Sequence, residues 1–159
     1  MASPSYDEFG LFHENAEEAG LAWDGPPTVA RVEVTLDDGR VMRALQWGAT
    51  APEIVLLHGG GQNAHTWDTV ALALDRPLLA IDLPGHGHSD GMRSDAAVSP
   101  RSIADDMASV VEALAPDAAL VVGMSLGGMT AMELAAHHPA LVRKLMMVDV
   151  TPGADKEKA

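Results

Sequence analysis

The chain has 159 residues, 47% of them hydrophobic, which is enough for one domain with a hydrophobic core. Its formal net charge of -13 argues against binding to nucleic acid or to an anionic membrane surface. There is no cysteine, which excludes disulfides, a thiolate nucleophile and thiolate metal ligands. No stretch approaches the ~20 apolar residues of a membrane span, and the start of the chain lacks a signal-peptide pattern, so we expect a soluble cytoplasmic protein.

Residues 1–27 are acidic and contain no lysine or arginine. We expect them to form a leader that is partly disordered or contains one short surface helix, and that ends at Gly25-Pro26-Pro27. The remaining residues, 28–159, are expected to belong to a single domain.

Apolar and polar residues alternate over residues 29–36 and again over residues 41–47. Between these segments, Asp38-Gly39 is a typical hairpin turn. The pattern predicts an antiparallel β-hairpin at one edge of a sheet.

Beyond residue 52, short apolar runs alternate with helix-compatible segments. The runs, typical of strands buried on both faces, cover residues 53–57, 78–81, 118–122 and 145–150. Helices are expected over residues 63–74, 99–114 and 126–138. The clearest begins at Ser99-Pro100, because serine is a good N-cap and proline a good first helical residue. Its apolar stripe consists of Ile103, Met107, Val110, Val111 and Leu114. This alternation predicts βαβ units and a mostly parallel sheet.

A G-x-S-x-G motif, Gly123-Met124-Ser125-Leu126-Gly127, lies where a predicted strand meets a predicted helix. A serine hydroxyl is a weak nucleophile, and a sharp strand-to-helix turn holds its Oγ where a base and a carbonyl substrate can reach it. The turn is crowded, so Gly123 and Gly127 are needed on either side of the serine. The helix also directs its N-terminal N–H groups at the site, which favours developing negative charge. Ser125 is therefore the candidate nucleophile, and Gly123, Met124 and Gly127 form the candidate elbow.

Two further motifs follow predicted strands. His58-Gly59-Gly60-Gly61 follows the first apolar run, and the pattern D-x-P-G-H-G-x-S follows the second, at residues 82–89. With G-x-S-x-G third in order, the chain resembles the N-terminal half of the α/β-hydrolase fold from about residue 28 to residue 153. The resemblance implies a mostly parallel sheet with an N-terminal antiparallel hairpin and flanking helices, truncated before the lid and the last strands.

The resemblance also implies roles for residues 58–61, which we call the glycine loop. The N–H groups of Leu126 and of Gly60, with Gly61 as the second choice, would form the oxyanion hole. Glycines allow close approach of the backbone to a tetrahedral intermediate and leave N–H groups able to donate. His58 and Gly59 would support this loop, with His58 orienting it rather than acting as a base.

The implied activity is that of a serine hydrolase acting on an ester or related acyl or carbonyl bond of a small molecule, through an acyl-enzyme on Ser125. Serine at the elbow disfavours the aspartate-dependent chemistry of haloalkane dehalogenases and epoxide hydrolases. An acyltransferase or a perhydrolase remains an alternative. We expect no cofactor and no metal, because the histidines lack a ligand spacing such as H-x-x-x-H.

In this fold the acid and the histidine of the triad follow the serine on later loops. Only one predicted strand follows the nucleophile helix, so we expect a truncated chain without a proper general base. His137 and His138 lie ~18 Å along the helix from Ser125, too far for a base, and Asp149 is a weaker candidate for the orienting acid. The last strand would be an exposed edge open to self-association. A non-catalytic short product, acting as a binding module or half of a two-chain assembly, is the alternative.

Overall fold

The computed structural model describes residues 6–95 and 97–151. Within these ranges the chain forms one six-stranded sheet with helices on both faces. The strands are β1 (Val29–Thr35), β2 (Val41–Trp47), β3 (Ile54–Leu57), β4 (Leu78–Ile81), β5 (Leu120–Met124) and β6 (Leu145–Val148). The α-helices are α1 (Phe12–Glu18), α2 (Asp68–Leu74), α3 (Pro100–Leu114) and α4 (Leu126–His137), and short 3-10 helices cover Ala64–Trp67 and Pro139–Leu141.

The strands lie in the order β1-β2-β4-β3-β5-β6. β1 pairs antiparallel with β2, with Val29 opposite Trp47 and Thr35 opposite Val41. β2 is also antiparallel to β4, whereas β3, β4, β5 and β6 run parallel. Gly39 has a φ of 87°, which the turn between β1 and β2 requires. The predicted edge hairpin and the predicted mostly parallel sheet are therefore confirmed.

Residues of each central strand alternate between two hydrophobic clusters, one on each face of the sheet. On one face, Val55 and Leu79 pack with residues of α3 and α4. On the other, Leu56 and Leu78 pack with Phe12 of α1 and with α2. Because both faces are covered, the central strands are apolar throughout, as their sequences predict.

The expected capping of α3 is observed in full. Ser99 Oγ accepts a hydrogen bond from the Ser102 N–H (3.1 Å), and Ser102 Oγ accepts one from the Ser99 N–H (3.0 Å). Pro100 occupies the first turn. Of the predicted stripe, Ile103, Met107, Val110 and Val111 are buried, and Leu114 is partly buried against the same cluster.

The segment expected to be a leader contributes to the core. Its α1 begins at Phe12, which is 3% exposed and whose ring centroid lies 4.8 Å from that of Trp47. Ala16 is also buried. The acidic composition gave no sign of this packing, since only two residues of the helix face the core.

β6 occupies the edge of the sheet opposite the hairpin in the described ranges. Its Leu145, Met146 and Val148 are exposed. Over the residues that the structure covers, no helix is long and apolar enough to cross a membrane.

Candidate active site

The three sequence motifs meet at one edge of the sheet. Residues 58–61 follow β3, residues 82–90 follow β4, and Ser125 follows β5. These strands are parallel neighbours, so their carboxyl ends lie side by side. Ligands of open α/β sheets bind at this end of the strands.

Ser125 forms the sharp turn between β5 and α4. Its backbone has φ 50° and ψ -112°, a conformation that is strained for any residue except glycine. The Ser125 N–H donates to Val148 O (3.0 Å), and Ser125 O accepts the first helical hydrogen bond from the Met129 N–H (3.0 Å). The side chain does not cap the helix and is exposed, so Oγ is accessible.

Gly123 and Gly127 are required by space. A Cβ atom on Gly123 would overlap the backbone of Gly127 and would lie 2.7 Å from Gly128 N. A Cβ atom on Gly127 would overlap Leu57 O and would lie 2.5 Å from His58 O. In both cases the obstacle is backbone, which cannot move aside cheaply. The turn therefore fits only if both positions lack side chains.

The three glycine N–H groups of the glycine loop differ in their hydrogen bonding. The Gly59 N–H donates to Gln62 Oε1 (2.8 Å), and the Gly61 N–H donates to His86 Nε2 (3.2 Å). The Gly60 N–H has no hydrogen-bond partner within residues 6–95 and 97–151. Of the two glycines expected at the oxyanion hole, Gly60 therefore retains an available donor and Gly61 does not.

The glycine loop lies directly beside the elbow. A Cβ atom on Gly59 would lie 3.6 Å from Ser125 Cβ, and one on Gly60 would lie 3.9 Å from Leu126 Cδ2. Leu126 is the first residue of α4, and its N–H has no partner in the described part of the chain. Two available donors thus come from adjoining backbone segments next to Ser125, at the positive end of the α4 dipole.

His58 is buried and both of its ring nitrogens are engaged. Nδ1 bonds to Gly59 O (2.8 Å) and Nε2 accepts from the Leu83 N–H (3.0 Å). Burial holds the pKa of His58 below its usual value. These contacts suit a residue that orients the loop and leave no lone pair for a base.

The other histidines lie in different surroundings. His65, within the segment where a helix is expected, lies in the 3-10 helix Ala64–Trp67 and pairs with Asp68. His137 pairs with Glu133 at the end of α4, and His138 follows α4 and pairs with Asp105. In the described ranges, none of the seven histidines is hydrogen-bonded to Ser125 Oγ. Asp149 follows β6, is exposed and has a φ of 54°.

The carboxylate of Asp82 connects several of the loops around the site through hydrogen bonds. This carboxylate is 1% exposed and accepts hydrogen bonds from the N–H groups of Ala64 (2.7 Å) and His88 (2.9 Å). Arg31 on β1 donates to the same carboxylate (2.8 Å) and also pairs with Glu8. Arg31 and Glu8 could not be recognised from the sequence, because they are far from Asp82 in the chain and no local pattern connects them.

No group of three or more histidine, cysteine, aspartate or glutamate side chains is arranged to hold a metal ion among the residues that the structure covers.

Sequence comparisons agree with this architecture. The sequence profile of the alpha/beta hydrolase fold family matches residues 52–157. The chain is 54% identical over 149 residues to esterase Rv0045c of Mycobacterium tuberculosis, covering 93% of this chain and 47% of that protein. It is 40% identical over 116 residues to a pimeloyl-[acyl-carrier protein] methyl ester esterase of Pectobacterium atrosepticum, covering 70% of this chain and 43% of that protein.

Solved structures give the same result. The crystal structure of Rv0045c from M. tuberculosis has a TM-score of 0.85 at 52% identity, covering 95% of this chain and 51% of that one. A putative acyltransferase from Salmonella enterica has a TM-score of 0.70 at 33% identity, covering 82% and 45%. The chain thus spans about half the length of these relatives. Because the family profile matches most of its residues, the chain belongs to the α/β-hydrolase fold family.

Proposed function

We propose that this chain carries the nucleophile and the oxyanion hole of a serine esterase. One observation carries the proposal: the exposed Ser125, held at a positive φ, adjoins the N–H groups of Gly60 and Leu126, which have no hydrogen-bond partner among residues 6–95 and 97–151. The names of the M. tuberculosis and P. atrosepticum relatives support an ester as the substrate.

In the first step, Ser125 Oγ attacks the carbonyl carbon of the ester and its proton passes to a base. The carbonyl oxygen becomes an oxyanion, which accepts hydrogen bonds from the N–H groups of Leu126 and Gly60. Collapse of this intermediate expels the alcohol, which takes up the proton and leaves an acyl group on Ser125. Water then attacks the acyl-enzyme by the same route, and the acid is released.

We infer that the base is a residue outside the described ranges. His58 and His86 each use both ring nitrogens in bonds to the backbone, and His65, His137 and His138 pair with carboxylates. The ring of His13 lies tilted against that of Trp23, with centroids 5.0 Å apart, and His88 Nδ1 lies 3.8 Å from Glu8 Oε1.

The substrate is a small carbonyl compound, and the reaction needs no cofactor because the acyl group is carried by the serine itself. Hydrolysis and acyl transfer share the acyl-enzyme and differ only in the acceptor. The likeness to a putative acyltransferase from S. enterica supports transfer as a second candidate. Adding an alcohol or a thiol to the assay separates the two, because a transferase forms the new ester or thioester in preference to the free acid.

Hydrolysis of p-nitrophenyl esters by the complete product of the gene tests the proposal. Ser125→Ala removes the nucleophile and should lower kcat by about a thousandfold or more. Ser109→Ala, on the exposed face of α3, is the matched control and should leave kcat unchanged. Retention of full turnover by Ser125→Ala would exclude Ser125 as the nucleophile.

The lack of a hydrogen-bonded base at Ser125 in the described ranges favours one further candidate, a non-catalytic binding module or one half of a two-chain assembly. The reading frame beyond codon 159 separates it from the esterase. An in-frame continuation that encodes a strand ending in an acidic residue and a later strand ending in histidine favours the esterase. A stop codon followed by unrelated sequence favours the short product.

A further inference from the structure

Two imidazole rings bridge the glycine loop and the turn that follows β4. His58 connects Gly59 O to the Leu83 N–H. His86 connects the Gly61 N–H to Pro84 O, with Nε2 3.2 Å from Gly61 N and Nδ1 3.0 Å from Pro84 O. The ring centroids lie 5.1 Å apart in an edge-on arrangement. In the proposed mechanism neither ring contacts the reacting atoms of Ser125. We therefore assign both rings a role in holding the glycine loop.

The partners of His86 fix its protonation state. Pro84 O can only accept a hydrogen bond, so Nδ1 must carry a proton. The Gly61 N–H can only donate, so Nε2 must present a lone pair. The geometry therefore requires the neutral imidazole with its proton on Nδ1, and an imidazolium would set two donors against each other.

The His86 bond acts on the neighbouring oxyanion donor. Gly60 lies between Gly59, whose N–H is bound by Gln62, and Gly61, whose N–H is bound by His86. These bonds hold the peptide groups on both sides of the Gly60 N–H. Gly61 has a φ of 74°, so the loop turns sharply here, and loss of one anchor would let the Gly60 N–H change direction.

We propose that His86 is a positioning residue of the Ser125 site, which aims the Gly60 N–H by accepting a hydrogen bond from the Gly61 N–H through Nε2. The inference rests on the proposed function, since an aimed N–H matters only where an oxyanion develops. Its structural part, the tautomer and the bond to Gly61, can be tested without any activity.

The ionisable groups around the two rings come from the ends of two strands. His58 follows β3, Asp82 follows β4, and the first turn of α4 contributes no acidic side chain. Asp82 accepts hydrogen bonds from Arg31 and from two backbone N–H groups.

Nitrogen-15 NMR of the full 159-residue chain tests the structural part. Long-range proton-nitrogen correlations of the His86 ring should show a protonated Nδ1 and a bare Nε2. A proton on Nε2 would overturn the proposal.

The rate of Ser125 modification by a fluorophosphonate, measured with the complete gene product, tests the effect on the site. His86→Phe keeps a flat ring without an acceptor and should lower the limiting rate constant about ten- to hundredfold, with little change in the half-saturating concentration. His86→Gln offers an amide oxygen to the Gly61 N–H and should recover most of the loss. His88→Phe and His88→Gln, two residues along the same turn and exposed, are the matched controls.

An equal decrease of the limiting rate constant in His86→Phe and His86→Gln, or no decrease in either variant, would contradict the positioning role. If His86→Phe does not fold, the tautomer measured in the unmodified chain still decides the proposal. Failure of the proposed function gives a different pattern: the unmodified protein is then not labelled at Ser125, whereas the NMR result for His86 stands unchanged.

Discussion

At the scale of single residues, the elbow depends on space that only glycine leaves. The side of Gly127 is closed by the carbonyl groups of Leu57 and His58, at the end of the neighbouring strand. Ser125 accepts its strained φ because β5, α4 and a bond to Val148 hold it from both sides. Strained backbone of this kind persists only where the surrounding structure determines it, and it occurs often at functional sites.

Gly127→Val should therefore destabilise the protein by about 2 kcal/mol or more, because the added atoms press on backbone rather than on a mobile side chain. It should also abolish labelling of Ser125. Urea unfolding gives the free energy, and Gly91→Val is the matched control, since a Cβ atom on Gly91 meets nothing within 4 Å. Equal stability of the two variants would mean that the turn is looser than its geometry indicates.

At the scale of elements, a small network of charges connects the N-terminal segment to the elements that follow β3. His65 Nδ1 lies 2.7 Å from Asp68 Oδ2, and His65 Nε2 lies 3.2 Å from Glu8 Oε1. The hydrogen bond to Asp68 raises the pKa of His65 above its usual value of 6.5. Burial raises the pKa of Asp68 despite the opposing effect of His65, so folding favours proton uptake at both groups.

The His65 pair should therefore stabilise the fold fully below pH 6.5 and lose its effect as the pH rises through the raised pKa of His65. His65→Gln should cost roughly 1 kcal/mol or less at pH 6, and less again at pH 9. Unfolding free energies at the two pH values measure this difference. In an Asp68→Asn background the pH dependence of the cost of His65→Gln should become smaller, and only the part due to Glu8 should remain. A cost that is equal at both pH values in the parent background would contradict the pairing.

Structural features could be predicted from the sequence where the interacting residues lie close together along the chain. The α3 cap could be predicted because Ser99 bonds to Ser102, three positions further on. The elbow motif could be recognised because Gly123 and Gly127 meet within four positions of the chain. The preference for Gly60 over Gly61 came from the family resemblance alone, because the His86 acceptor that engages the Gly61 N–H lies 25 residues further on.

The buried charged pairs could not be predicted for the same reason, because their partners are far apart in the chain. Arg31 reaches Asp82 across 51 residues, and Glu8 lies in a segment whose composition suggested disorder. Phe12 packs on Trp47 without any periodic pattern around it. Pairings of this kind arise from the topology of the sheet, which periodicity alone does not specify.

At the scale of the whole molecule, the two edges of the sheet differ. One edge is formed by the hairpin, and the residues of its outer strand β1 are half-buried or exposed. The other edge, in the described ranges, is β6, whose Leu145, Met146 and Val148 are exposed. A parallel strand with apolar side chains and unpaired backbone groups invites association with another chain.

The 159-residue chain should therefore self-associate as its concentration rises, and Met146→Lys should weaken this association by placing a charge on the edge strand. Met146 is 51% exposed, so stability should change by only about 0.5 kcal/mol. Sedimentation velocity over a range of concentrations measures the association. Val70→Lys, at an exposed position of α2 away from this edge, should leave it unchanged, and a chain that stays monomeric throughout would make the prediction wrong.

Treatment of the complete gene product with a fluorophosphonate, followed by peptide mass spectrometry to locate the adduct, tests whether Ser125 is a nucleophile in a working oxyanion site. We expect one adduct per chain, on Ser125, that is absent in Ser125→Ala and unchanged in Ser109→Ala. An adduct on another residue, or a folded protein that stays unmodified, would contradict this role of Ser125.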